Sequence, residues 1–191
     1  IQLGRRNISL KSHPYIIAEI GVNHEGSFDR AKKLIDLAKE GGADAAKFQS
    51  YKADTLASKN SPAYWDLKKE PTKSQHELFK KYDSFSAEQY VELSRYCHSV
   101  GIEFLSTPFD DESIDFLEPL MPFYKIASAD ITNLPFLKKI AEKNKPVVLS
   151  TGASTLGEID IALDALRENK CKDVALLHCI LNYPTMDENA H

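Results

Sequence analysis

The chain has 191 residues, 42% of them hydrophobic and 27% charged, and its 24 basic against 28 acidic side chains leave a formal charge of -4. A chain of this size buries about 70% of the surface it exposes when unfolded, enough for one substantial core and one domain or two. No basic stripe with interleaved aromatics tracks a nucleic-acid backbone, and no apolar run approaches the roughly 20 residues that cross a bilayer. The polar start, Ile1 to Lys11, lacks the apolar stretch of a secretion signal, and an Ile at position 1 is expected of a trimmed N-terminus. Cys97, Cys171 and Cys179, odd in number and far apart, point to reduced thiols in a cytosol-like compartment.

In chain order, Tyr15 to Gly21 (YIIAEIG) reads as the first clear strand. A helix follows, with Ala31, Leu34, Ile35 and Ala38 on one face, Ser27 as N-cap and Gly41 or Gly42 as its stop. Ala43 to Ser50 is a second strand. Residues 51 to about 84 break the rhythm: they are polar, contain Pro62 and Pro71, and show no period. Ser86 to Val100 is a helix with Ser86 and Gln89 at capping-box spacing and Gly101 past its end. Strands at Gly101 to Pro108, Phe123 to Ser128, Pro146 to Thr151 and Asp173 to Cys179 then alternate with helices at Asp110 to Leu117, Leu134 to Asn144 and Thr155 to Asn169. Such alternation implies a parallel sheet with right-handed crossovers.

An open doubly wound sheet and a truncated barrel both fit this order. Each strand finishes in polar or reactive residues: Glu19, Lys47 with Gln49, Thr107, Lys125 with Ser128, Ser150, and His178. Across an open sheet, six strand ends about 4.8 Å apart spread over roughly 24 Å, too far to meet one small ligand. In a barrel they ring one site on the C-terminal face. The expected fold is therefore an α/β (β/α)₈ TIM barrel, present as an incomplete barrel of about six β/α units.

Lys47 and Gln49 share one face of their strand and Phe48 takes the other. Two lysines, Lys47 and Lys125, aimed at one site suit a ligand with two anionic groups, such as a phosphate and a carboxylate. A single desolvated lysine would instead suit a Schiff base, and a lysine snorkelling at a strand end is the structural alternative. Thr107, Ser128 and Ser150 are hydroxyls that could donate to phosphate oxygens, with the turn after Ser150 adding backbone N–H groups; singly, each reads as a cap or turn residue. Glu19, in an apolar strand, is either an ion-pair partner of Lys47 or a general acid/base. His24 and His178 lack the spacing of a metal pair, so a hydrogen-bonded structural role is the better reading. Cys179 reads as a small core residue. Tyr64 and Trp65, in the 51–84 insertion, either cover a substrate or staple the surface.

The strings IAEIGVNHEG, AAKFQ, FLSTPFD, YKIASAD, VVLSTG and LLHC...NYPT, in this order, resemble the sialic acid synthase family, comprising N-acetylneuraminate synthase and its legionaminic and pseudaminic acid relatives. The match runs from about Tyr15 to Thr185. It implies an N-terminal (β/α)₈ barrel, of which residues 1–191 are the first part, with the remaining units and an antifreeze-like C-terminal domain absent. It also implies a cytoplasmic homodimer that condenses phosphoenolpyruvate with an N-acetylated hexosamine such as N-acetylmannosamine, releasing phosphate. The family's divalent metal, Mn²⁺ or Mg²⁺, is expected on histidines beyond His191, so the chain itself carries no metal ligand. By the same resemblance Lys47, Thr107, Lys125, Ser128 and Ser150 hold phosphoenolpyruvate, Glu19, Gln49 and Tyr183 face the sugar, and Glu19 handles the proton. Leu181 stands where some members carry a phosphate-contacting Asn, and Asp130 where some carry Glu. The rival expectations are a class I aldolase with Lys47 or Lys125 as Schiff base, and a non-catalytic sugar-phosphate-binding relic.

Overall fold

Ser27, Ser86 and Thr155 start the three longest helices, as their spacing predicts. In the computed structural model, which describes residues 1–83, 85–182 and 185–190, Ser27 Oγ accepts the Arg30 N–H at the head of α1 (Phe28–Glu40). Ser86 and Gln89 close a full capping box on α4 (Ala87–Val100), which ends at Gly101 in the left-handed region. Thr155 and Glu158 close another on α7 (Leu156–Glu168). Each cap satisfies N–H groups that a helix start leaves orphaned, for about 1 kcal/mol apiece.

The chain divides into two units. The first, Tyr15–Met121, holds a parallel sheet in the order β3 (Ile17–Gly21), β4 (Ala45–Ser50), β5 (Glu103–Pro108). Ala45, Ala46, Phe48, Phe104 and Leu105 are buried, as a parallel sheet covered on its faces requires. Phe48 and Phe104 stack at 5.7 Å on the face away from Lys47, and Ile35 and Leu93 of the helices are fully buried. The unit also contains α5 (Asp111–Leu117) and two helices that periodicity does not reveal, α2 (Ala53–Leu56) and α3 (Gln75–Tyr82). His76 of α3 is held to Asp54 of α2 at 2.7 Å. Trp65 Nε1 donates to the Glu70 and Thr72 carbonyls, so this indole staples its own loop, while the Tyr64 ring beside it is exposed.

The second unit, Ile1–Pro14 with Pro122–His191, has a parallel sheet β6 (Tyr124–Ile126), β7 (Val147–Ser150), β8 (Val174–Leu177) packed with α6 (Leu134–Ala141) and α7. Its N-terminal strands β1 (Gln2–Leu3) and β2 (Arg6–Asn7) form a small antiparallel hairpin, of which the polar N-terminal sequence gives no sign. All six strands expected from the alternation are present and pair in parallel within their units.

His24, in the loop after β3, belongs to the core. Its ring is 1% exposed and stacks on Phe85 at 4.2 Å, and its Nδ1 accepts the Gly26 N–H. Burial lowers its pKa from 6.5 to about 4. The unfolded chain therefore takes up the proton first as pH falls. Stability holds above pH 6.5 and drains away down to about pH 4, by up to about 3 kcal/mol. The variant His24→Asn keeps an acceptor where Nδ1 sits. In urea titrations, the stability of wild type relative to this variant should fall steadily between pH 6.5 and 4. A difference that stays flat would contradict a neutral buried ring.

Candidate functional site

Parallel pairing sets Glu19 of β3 beside Lys47 of β4, and Gln49 of β4 beside Thr107 of β5. Lys47 is 7% exposed, and an ammonium so far from water needs acceptors. It forms an ion pair with Glu19 and donates to Thr107 Oγ1 at 3.2 Å. The Glu19 side chain is half exposed, so the carboxylate bridges a buried cation and open solvent. The ion pair expected between Glu19 and Lys47 is present, and the Glu19 carboxylate is also open to solvent.

The β3 ladder slips between Glu19 and Gly21, so two residues oppose one on β4. Gly21 adopts φ +54°, and a Cβ there would lie 3.3 Å from Glu19 Oε1 and 3.7 Å from Gln49 Nε2. A bulge re-aims the side chains beside it, and only glycine leaves this much room next to the two polar groups. Position 21 is a site residue that reading side-chain chemistry alone passes over; a glycine closing a strand is the available signal.

In the second unit, Lys125 is 8% exposed and donates to Ser150 Oγ at 2.6 Å and to the Ile126 carbonyl at 2.7 Å. Ser128 lies in a 3₁₀ turn, Ser128–Asp130, rather than on the strand. Its Oγ accepts the Gly152 N–H at 2.9 Å. The turn after Ser150 is therefore not an open anion nest, because the Gly152 N–H is used by Ser128 and the Thr151 N–H by the Leu177 carbonyl. Leu181 packs over Gly152, where a Cβ would meet its Cδ2 at 2.8 Å. An aliphatic wall thus stands over Gly152. Cys179 is half-buried and its thiol donates to the Leu177 carbonyl. His178 is exposed, and Tyr183 lies outside the described residues. Among the described residues no three His, Cys, Asp or Glu side chains are grouped to hold a metal ion; the resemblance expects the ligands of the divalent metal beyond His191.

Asp130 closes the turn that Ser128 opens. Its Oδ2 is buried with no hydrogen-bond partner among the described residues, and burial pushes its carboxyl up from 3.8 to about 6, partly offset by a hydrogen bond with Asn133. The unfolded chain ionises this group at lower pH, so the stability it permits is whole below 3.8 and is lost as pH rises through 6. Asp130→Asn should gain about 1–2 kcal/mol at pH 7, allowing for partial solvation. The gain should vanish near pH 4, as measured by denaturant unfolding. A variant that is less stable at pH 7 would contradict this assignment.

Two short parallel sheets, each with a buried lysine reaching a hydroxyl on the neighbouring strand, define an α/β protein. The model of the NeuB family matches residues 34–191, and the chain belongs to that family. It is 46% identical over 174 residues to N,N'-diacetyllegionaminic acid synthase of Campylobacter jejuni, covering 88% of this chain and 52% of that protein. It is 39% identical over 177 residues to N-acetylneuraminate-9-phosphate synthase of Drosophila melanogaster, covering 90% and 46%. Among solved structures it is similar to N-acetylneuraminic acid synthetase of Leptospira borgpetersenii in complex with citrate, with a TM-score of 0.86 and 30% identity over 100% of this chain and 62% of that one. The chain spans about half the length of the curated relatives it matches.

Proposed function

We propose that this chain is the N-terminal portion of a sialic-acid-type synthase and carries phosphoenolpyruvate-binding groups of that enzyme. The observation that carries the reading is the repeated device of a buried strand-end lysine donating to a hydroxyl one strand along, Lys47 to Thr107 and Lys125 to Ser150. Such ammonium groups are fixed before any ligand arrives and need no reorganisation to meet phosphate or carboxylate oxygens. The relatives named as legionaminic acid and N-acetylneuraminate-9-phosphate synthases, and the citrate complex of a structural neighbour, support an anionic substrate.

The six parallel strands are read as members of a (β/α)₈ barrel. Support comes from β8, an edge strand of purely apolar side chains: Leu176 and Leu177 point to opposite faces, yet are 47% and 37% exposed. A parallel strand of this composition is normally covered on both faces. The antifreeze-like domain, the homodimer and the cytoplasmic location belong to this reading through the family resemblance.

In the reaction proposed, C3 of phosphoenolpyruvate attacks the aldehyde carbon of an open-chain N-acetylhexosamine, and the aldehyde oxygen takes a proton. Water adds at C2, and the tetrahedral intermediate expels phosphate by C–O cleavage, leaving a nonulosonic acid. Lys47, Thr107, Lys125, Ser128 and Ser150 hold the donor. Gln49 and Tyr183 face the sugar, and Glu19, with its half-exposed carboxylate, handles the proton. The divalent metal, Mn²⁺ or Mg²⁺, belongs to this reading through the family resemblance, on ligands beyond His191.

Calorimetric titration of the 191-residue chain with phosphoenolpyruvate tests the reading. Lys47→Met and Lys125→Met should each weaken binding about 10- to 100-fold, the scale of one charge-assisted hydrogen bond, and Thr107→Val by a few-fold. Unchanged affinity in both lysine variants would overturn the assignment. Treatment with pyruvate and borohydride should leave both lysines unmodified, whereas a stable adduct on either would favour the Schiff-base aldolase.

A further inference from the structure

Strand alternation puts Gln49 on one side of β4 and Ser50 on the other. On Ser50's side, beyond the strand end, a cavity of about 220 Å³ opens within the first unit. Its lining includes Tyr51, Phe85, Tyr90 and Phe116, with Ser50 and Ser113. The rings brace one another: Tyr90 lies 5.9 Å edge-on from Phe85 and 5.7 Å from Phe116. A cavity of ~150 Å³ lined by apolar side chains already accepts benzene, so this one has room for one ring or two fused rings. The polar groups on the strand side of the lining are already bonded. Tyr90 Oη donates to the Gln49 carbonyl at 2.7 Å, and Ser50 Oγ pairs with Ser106 Oγ at 2.7 Å. Burial raises the Tyr90 hydroxyl to about 12, consistent with a dry wall. Asp110 lines the cavity with its carboxylate already engaged, Oδ1 accepting the Ser113 N–H at 2.7 Å and Oδ2 the Lys52 N–H at 3.1 Å. The exposed Glu112 carboxylate is the further acidic group of the lining, and the ammonium of Lys52 is drawn off to Asp83 at 3.2 Å. A pocket with apolar walls and a few polar groups is the general form of a small-molecule site, and an acidic rim, with Glu112 its open acceptor and Lys52 drawn away, favours a ligand that donates rather than one that carries negative charge.

We propose that this cavity binds a small planar aromatic molecule bearing an N–H or ammonium donor, and that its occupancy is relayed through the Tyr90 hydroxyl to the backbone of Gln49. The ligand sits behind the strand whose front carries Lys47 and Gln49, so it differs in chemistry and position from the anionic donor. The Tyr90 hydroxyl is the contact that joins the two sides: a ring wedged against Tyr90 moves the group that holds the Gln49 carbonyl.

Indole is the test ligand and benzoate its anionic counterpart, each titrated into the ¹⁵N-labelled 191-residue chain and followed by NMR. Indole should give saturable shifts at Tyr51, Phe85 and Tyr90 and at the amides of Gln49 and Ser50, with benzoate at least tenfold weaker. Ser113→Leu, which fills the cavity, should weaken indole binding tenfold or more. Ala87→Phe, at the exposed first turn of α4, should do the same without disturbing the core. Tyr90→Phe should keep indole binding and the Phe85 response but silence Gln49 and Ser50. Absent or non-saturable shifts, equal binding of benzoate, or indifference to both filling variants would overturn the site. A Gln49 response that persists in Tyr90→Phe would overturn the relay. None of these readouts uses turnover or phosphoenolpyruvate, so they stand or fall apart from the proposed function.

Discussion

A lysine withdrawn from water in a sheet must be met by oxygen atoms, and that demand organises both halves of this chain. Lys47 and Lys125 are each less than a tenth exposed. Each lies in a run of apolar neighbours that makes the strand but leaves its ammonium dependent on whatever adjacent strands supply. The ladder supplies it: parallel register brings Glu19 and Thr107 to Lys47, and Ser150 to Lys125. Within each unit the hydroxyl-bearing strand end and the lysine-bearing one are thus parts of one arrangement. Losing the register of one strand would strand a buried charge on the next.

Much of this is legible in the order of the amino acids alone. The alternation of short apolar runs with capped amphipathic helices locates all six parallel strands, because parallel strands and helix starts obey local rules of composition and spacing. The pairing of Glu19 with Lys47 is legible too, since a carboxylate and an ammonium on adjacent buried strands have few other partners. The features that are not legible depend on contacts between residues distant in sequence or on backbone groups. The helices Ala53–Leu56 and Gln75–Tyr82 are short, and one is held to the other by the Asp54–His76 contact across 22 positions. The role of Trp65 is set by carbonyls of its own loop, to which no side-chain pattern points. The expected anion nest after Ser150 fails for the same reason: the hydroxyl expected to assist it takes up one of its N–H groups.

The two histidines and the aspartate show how burial redistributes chemical character. His24 follows the strand that bears Glu19, yet its ring turns into the aromatic core and its protonation is suppressed. Exposed His178 is held by no such packing. Asp130, in a turn of the kind where aspartate usually meets solvent, keeps an oxygen that nothing among the described residues bonds. Burial therefore holds this carboxyl protonated to a higher pH than an exposed aspartate, and the hydrogen bond with Asn133 offsets only part of that cost.

The bulge at Gly21 bears on how this chain can change over time. One surplus residue between Glu19 and Gly21 is what lets the carboxylate and the following loop keep their present aims. A single-codon deletion there would close the ladder and rotate everything after it to the opposite side of the sheet. Point replacement in the loop that follows is a mild event by comparison. Spacing, more than identity, is what heredity has to conserve along this stretch, and gaps in it should be rarer than mismatches.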